Sequence, residues 1–283
     1  MTLSELERYY IKSLSSVYDK AEAAAISRFA MEEIAGSGDD SRASDVVPEE
    51  VFEKAEMALV RLMNHEPVQY VFEVAWFCSM KLKVNPAVLI PRPETEELVH
   101  LIHQTSPSNA RILDIGTGSG CIALGLKKFL PQATVAGIDN SEEALTVARK
   151  NSTHLRLAVN FHHLDIFSYE EHLDFINTYE KFEIIVSNPP YIPSDEKSAI
   201  SHNVLNFEPH EALFVEGNDP LIYYDVISDF AKKFLADIGQ LFFEVHRDKA
   251  IAVMHLLQHR GFRHVNIITD MAGNDRFIVA HLK

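Results

Sequence analysis

The sequence of 283 residues has few of the features that mark secreted or membrane proteins. It contains only two cysteines, Cys78 and Cys121, so it offers neither a disulfide framework nor the paired spacing of a zinc site. No apolar run approaches the length of a membrane span, and residues 1–7 lack the basic head and apolar stretch of a signal peptide. We therefore expect a cytoplasmic protein that binds no membrane.

Basic side chains are also scarce. The chain has 26 lysines and arginines against 41 aspartates and glutamates, which gives a formal net charge of −15. A protein that binds a phosphate backbone needs a stripe of basic residues to replace the counterions, and no such stripe is present. The 14 histidines are scattered without a metal-binding pattern. We expect no direct nucleic-acid partner and no metal, and a protein substrate fits the charge better.

What the chain does contain is a rigid segment, Asn188–Tyr191, which follows Ser187 and the apolar run 182–186. That run is typical of a buried parallel strand, and ligands bind at the carboxyl ends of such strands. The Asn188 side-chain oxygen and the Pro189 carbonyl can each accept one hydrogen of a planar –NH2 group, and the Tyr191 ring can cover its flat face. A proline-rich loop that only ends a strand is an equal alternative for Asn-Pro-Pro alone. The predicted catalytic residues are Asn188, Pro189, Pro190 and Tyr191.

A glycine-rich segment lies upstream, where the predicted strand 111–115 is followed by the loop Gly116–Gly120 and a predicted helix. Glycines allow positive φ and let a ligand approach the backbone closely. A second apolar strand, 133–138, ends on Asp139, whose carboxylate can bind a ribose diol. The spacing Gly118-x-Gly120-x-x-Ala123 also satisfies the dinucleotide fingerprint, so a nicotinamide-binding or non-catalytic module stays open as an alternative.

Taken together, these motifs resemble class I S-adenosylmethionine-dependent methyltransferases that act on planar nitrogens. That group includes adenine-N6 nucleic-acid enzymes and glutamine-N5 protein enzymes. Four further segments closely resemble the release factor glutamine methyltransferases, the HemK/PrmC family, and extend the likeness over nearly all of the chain after about residue 50. These segments are 66–70, 88–99, 207–214 and 270–276.

The resemblance implies S-adenosyl-L-methionine as cofactor and, as substrate, the Gln of the Gly-Gly-Gln loop of peptide chain release factors, methylated on N5. Adenine-N6 methylation of a nucleic acid is the alternative. The turn Arg92–Thr95 either shapes the cofactor pocket or only starts a helix capped by Thr95, and contact of Arg92 and Glu94 with the cofactor is left open. The implied cofactor-binding residues are Gly116, Thr117, Gly118, Ser119, Gly120, Asp139, Asp165, Ile166 and Asn188.

The alternation of strands and helices predicts an α/β fold, with a doubly wound, mostly parallel seven-stranded sheet of Rossmann-like class I methyltransferase type. A small N-terminal helical domain should precede it, built from helices within residues 1–35 and 48–64 around a break at 36–40. We predict a substrate-recognition domain at 1–70, a hairpin linker at 71–90 and a catalytic domain at 91–283. Strands are expected near 111–115, 133–138, 158–163, 182–187, 239–245, 263–269 and 276–282, the last two forming an antiparallel hairpin.

Overall fold

A computed structural model of the chain describes residues 1–36, 46–172, 178–193, 197, 202–215, 217 and 219–282. The chain divides into two compact units, Met1–Val74 with Ser201–Phe207, and Ala75–Ile200 with Glu208–Lys283. Beyond residue 36, the predicted break at 36–40 lies outside the described residues. The finer predicted division at residue 70, with a linker up to residue 90, stays a prediction.

The first unit is helical, as predicted for residues 1–35 and 48–64. Thr2 and Asp19 start the first two helices by accepting a backbone N–H three residues ahead, which satisfies donors that a helix start leaves unpaired. The apolar faces of the helices meet in a core around the fully buried Tyr10. The helices are α1 (Leu3–Leu14), α2 (Lys20–Ala35), α3 (Glu49–Met63), the short α4 (Val68–Phe72), and α8 (His202–Phe207) from later in the chain.

A two-stranded sheet follows, within the segment 71–90 that the sequence predicts as a hairpin linker. Its strands are β1 (Val74–Phe77) and β2 (Met80–Lys83). The two residues between them, Cys78 and Ser79, have φ of 49° and 54°. Positive φ at both central residues is what a two-residue type I′ connection requires, although Asn-Gly is the usual sequence there.

The second unit is built on a seven-stranded sheet in the order β5-β4-β3-β6-β7-β9-β8, which confirms the predicted fold class. β3 pairs in parallel with both β4 and β6, and β6 in parallel with β7. β9 is antiparallel to β7 and to β8, so the predicted terminal hairpin is also confirmed. The strands are β3 (Arg111–Ile115), β4 (Thr134–Asp139), β5 (Asn160–His163), β6 (Phe182–Ser187), β7 (Leu235–Glu244), β8 (Arg263–Thr269) and β9 (Asp275–His281).

Helices cover both faces of this sheet, and successive strand residues contribute to two different apolar layers. Ile112 belongs to one layer and Leu113 to the other, as the alternation of side chains along a strand requires. In the part of the chain that the structure describes, no helix is both long and apolar enough to span a membrane. The helices are α5 (Pro93–Thr105), α6 (Cys121–Phe129), α7 (Glu142–Leu155), α9 (His210–Leu213), α10 (Ile222–Phe234) and α11 (Ala250–His259).

One strand boundary differs clearly from the prediction. β7 begins at Leu235 and not at residue 239, because Leu235 already pairs with Phe182 before the register shifts. The next pair joins Ile184 to Gln240, so the intervening residues bulge out of the ladder, and Ile238 is 90% exposed. An exposed bulge breaks the apolar pattern from which the strand was predicted.

Candidate active site

A cavity of about 430 Å3 lies where β3, β4 and β6 end, and all of its lining residues belong to the second unit. β3 lies between β4 and β6, so the chain winds to opposite sides of β3 before and after β5. Such a switch point opens a crevice at the carboxyl ends of the strands, where doubly wound folds bind ligands. Ten predicted site residues line the cavity: Gly116, Thr117, Gly118, Ser119, Asp139, Asp165, Ile166, Asn188, Pro189 and Pro190.

The glycine loop is held from below by Asp114, whose side chain is fully buried. One of its oxygens, Oδ2, accepts from the Thr117 hydroxyl at 2.6 Å and from the Ala123 N–H at 3.2 Å. Burial raises the pKa of Asp114 to about 7, and the two hydrogen bonds oppose that rise. The carboxyl therefore ties the loop to the first turn of α6 and fixes its shape.

Two glycines of the loop have different surroundings. Gly116, with φ of 72°, has open space where a Cβ would lie. Gly120, with φ of 80°, does not line the cavity, and a Cβ there would come within 3.0 Å of the Phe161 ring. Gly116 thus leaves room for a ligand, whereas Gly120 allows α6 to pack closely on the sheet. The predicted contact of Gly120 with the cofactor stays a prediction.

Asp139 ends β4 beside this loop. Its Oδ2 accepts from the Gly118 N–H at 2.8 Å, and its Oδ1 accepts from the Ser141 N–H at 2.9 Å. Burial raises the pKa of Asp139, while the two backbone hydrogen bonds lower it. Each carboxylate oxygen can accept more than one hydrogen bond, so the group can still receive a ligand hydroxyl.

Asp165 and Ile166 form the far side of the cavity, after β5. Asp165 Oδ1 accepts from the Phe167 N–H at 2.9 Å, and the Asp165 carbonyl accepts from the Ser168 N–H at 3.0 Å. These bonds form a compact turn that holds the Asp165 carboxylate and the buried Ile166 side chain side by side. A polar edge beside an apolar surface suits a flat heteroaromatic ring.

Asn188, Pro189 and Pro190 line the opposite wall, at the end of β6. The strand end is fixed by the buried Ser187, whose hydroxyl donates to the Ile115 carbonyl at 2.7 Å. Tyr191 does not line the cavity. Its ring is partly buried, with its centroid 5.7 Å from that of His246, so its predicted role over the substrate stays a prediction.

Behind Asn188 lie Thr95 and, outside the cavity lining, Glu244, a pair for which the sequence predicts no contact with Asn188. Thr95 lines the cavity and donates its hydroxyl to Glu244 Oε2 at 2.7 Å, and both residues are 3% exposed. The same hydroxyl oxygen accepts from Asn188 Nδ2 in a long hydrogen bond of 3.4 Å. Burial raises the pKa of Glu244 to about 7, against the effects of the Thr95 bond and of Arg276 and Arg92. The alternative that Thr95 caps a helix is wrong, because α5 begins at Pro93 and Arg92 is its N-cap residue.

Arg92 also lines the cavity, whereas Glu94 does not. Its guanidinium forms an ion pair of 2.6 Å with Glu208, whose side chain is 1% exposed. Glu208 Oε2 accepts from the Ile90 N–H at 3.2 Å as well, so one buried carboxylate holds both the segment before α5 and the Arg92 side chain. Among the described residues, no group of three or more His, Cys, Asp and Glu side chains could hold a metal ion.

The class of protein follows from comparison with known families. Residues 106–241 match the family described as a methyltransferase domain. The solved hMettl16 catalytic domain, in complex with the MAT2A 3′UTR hairpin 6, is similar in fold, with a TM-score of 0.53 and 14% identity. That likeness covers 83% of this chain and 82% of the hMettl16 chain, and it shows the fold alone.

Two curated relatives show the family. A release factor glutamine methyltransferase of Bacteroides thetaiotaomicron is 39% identical to this chain, covering 99% of it and 100% of that protein. Another, of Flavobacterium psychrophilum, is 42% identical over 81% of this chain and 80% of that protein. The chain belongs to the release factor glutamine methyltransferase family, and the resemblance found in the sequence is confirmed.

The two loop glycines lead to a stability prediction. Gly120→Ala should lower the free energy of unfolding by roughly 2–4 kcal/mol, because positive φ and a close contact with Phe161 both oppose a side chain. Gly116→Ala is the matched control, since it carries the φ strain alone and should cost only about 1–2 kcal/mol. Urea unfolding of both variants measures the difference. Equal losses would show that the contact with Phe161 has no energetic weight.

Proposed function

We propose that this protein transfers a methyl group from S-adenosyl-L-methionine to the side-chain amide nitrogen of the Gln in the Gly-Gly-Gln loop of a peptide chain release factor. The observation that carries this proposal is the convergence of Gly116–Ser119 of the glycine loop and Asn188–Pro190 on one cavity. The family relationship supports the same substrate class. Release factors act in the cytoplasm, and we place the enzyme there too.

The residues of the cavity fit the cofactor. A volume of about 430 Å3 is within the range of small-molecule sites, and the open space at Gly116 and Gly118 lets a ligand lie against the backbone. In this proposal the glycine loop holds the amino-acid end, Asp139 accepts the ribose hydroxyls, and Asp165 with Ile166 meets the adenine. When bound, the cofactor supplies an electrophilic methyl group on a sulfonium.

Asn188 and Pro189 hold the substrate in this proposal. An amide nitrogen is a poor nucleophile because its lone pair is delocalised into the carbonyl. The Asn188 Oδ1 and the Pro189 carbonyl each accept one hydrogen of the substrate –NH2 group and so aim its nitrogen. Both acceptors belong to residues of a segment that two prolines stiffen, which reduces the backbone reorganisation needed at the moment of reaction.

Asn188→Ala should lower turnover by about 10²-fold or more, because it removes one of the two acceptors for the substrate amide. Affinity for the cofactor should change much less. Asn266→Ala, in strand β8 away from the cavity, is the control for the loss of an asparagine. Steady-state methylation of a release factor by the purified variants measures the effect. Turnover like that of the wild type in Asn188→Ala would remove this residue from the site.

Asp139→Ala should weaken cofactor binding by roughly 1.5–3 kcal/mol, the scale of a lost charge-assisted hydrogen bond. The cofactor affinity of Asp139→Asn should lie between those of Asp139→Ala and the wild type, because asparagine keeps an acceptor oxygen and loses the charge. Titration calorimetry with S-adenosylhomocysteine measures both. An unchanged dissociation constant in Asp139→Ala would mean that another group binds the ribose.

The substrate class is tested by offering four acceptors with labelled cofactor. We expect methylation of a folded release factor, slower methylation of a short peptide with the same Gln, and no appreciable methylation of duplex DNA or RNA. The rates on the release factor and on the peptide should differ because the helical first unit is not needed for the cofactor-binding fold. It can add contact area with the release factor, remote from the chemistry. DNA and RNA should not be methylated, because a chain of net charge −15 has too few basic side chains to replace phosphate counterions. Efficient methylation of DNA adenine would overturn the proposed function.

A further inference from the structure

The amide of Asn188 can present two opposite faces to the cavity. Only its Oδ1 can accept a hydrogen from a substrate –NH2 group, whereas its Nδ2 would repel one. A rotation of 180° about the last side-chain bond exchanges these atoms at little steric cost. The proposed function therefore requires something that fixes the orientation of this amide.

The hydrogen-bond partners behind Asn188 allow only one of the two orientations of its amide. An ionised Glu244 can only accept hydrogen bonds. The Thr95 hydroxyl must therefore donate its single hydrogen to Glu244, at 2.7 Å. The Thr95 oxygen can then only accept from Asn188. The Nδ2 of Asn188 must face Thr95, at 3.4 Å, and Oδ1 must turn away from it.

The surrounding strands bring the three side chains together. Ser187 in β6 pairs with Phe243 in β7, so Asn188 and Glu244 are the next residues of two neighbouring strands. Thr95 reaches them from the first turn of α5. Glu244 is further held at its backbone, where its carbonyl accepts from the buried Tyr224 hydroxyl at 3.2 Å.

We propose that Thr95 and Glu244 are positioning residues, which hold the Asn188 amide with its oxygen directed to the substrate nitrogen. This inference rests on the proposed function and deepens it. The long bond between Asn188 and Thr95 is consistent with the role, because hydrogen bonds in a site without substrate are often loose and tighten when the substrate binds. No residue of this set donates or removes a proton in the reaction, and the proton that the nitrogen loses on methylation leaves to solvent.

The test uses the intact chain and a folded release factor at about pH 8.5, well above the pKa of about 7 of Glu244, so that this carboxyl group is ionised. Thr95→Val has the same shape without the hydroxyl and should lower kcat about tenfold or more, the scale of one misdirected hydrogen bond. The dissociation constant of S-adenosylhomocysteine should change less than about threefold. Thr95→Ser restores the hydroxyl and should restore most of kcat. Thr105→Val is the matched control, because Thr105 is on the same helix and its hydroxyl bonds only to carbonyls of that helix.

A double-mutant cycle separates orientation from general damage, including any loss of stability in Thr95→Val. In the Asn188→Ala background there is no amide to orient, so adding Thr95→Val should lower the residual kcat no further. Equal kcat of Thr95→Val and the wild type would overturn the proposal, as would full additivity of the two substitutions or failure of Thr95→Ser to recover activity. An inactive wild type would instead reject the proposed function itself.

Discussion

The hydrogen bond from the Ser187 hydroxyl to the Ile115 carbonyl, 2.7 Å long and fully buried, joins the two strand ends on which the site depends. Ile115 and Ser187 are also the last paired residues of β3 and β6. The residues that follow them, Gly116 and Asn188, therefore leave the sheet side by side. The shape of the glycine loop and the position of the Asn188 amide both depend on the register of these two strand ends.

The site concentrates buried carboxyl groups in a chain that is already strongly acidic. Asp114, Asp139 and Glu244 all have raised pKa values, and in each case burial is the largest cause. Each is also held by donors: two for Asp114, two for Asp139 and the Thr95 hydroxyl for Glu244. A buried carboxyl group with few donors is costly in free energy. In this structure the three groups order the glycine loop, the end of β4 and the Asn188 amide.

Much of this arrangement could be predicted from the sequence, because its signals are local. The strands 111–115 and 182–187 are short, mostly apolar segments followed by glycine or Asn-Pro-Pro, and both are found at those positions. The link between Thr95 and Glu244 could not be predicted in this way, since the two residues are 149 positions apart. Their contact depends on the packing of α5 against β7, which no local pattern encodes. The one local feature that pointed to this pair was Glu244 itself, a glutamate at the end of an apolar strand.

The direction of the Asn188 amide also bears on how the proposed reaction is accelerated. As the substrate nitrogen forms its new bond, positive charge develops on it and its hydrogens become stronger donors. Bonds to the Asn188 Oδ1 and the Pro189 carbonyl then strengthen in the transition state more than in the ground state, which is the condition for catalysis. When Glu244 is ionised, donation from Nδ2 toward Thr95, and from Thr95 toward the Glu244 carboxylate, polarises the amide and increases the electron density on Oδ1. A buried carboxylate that never touches the substrate can in this way favour methyl transfer to a weak nucleophile without acting as a base.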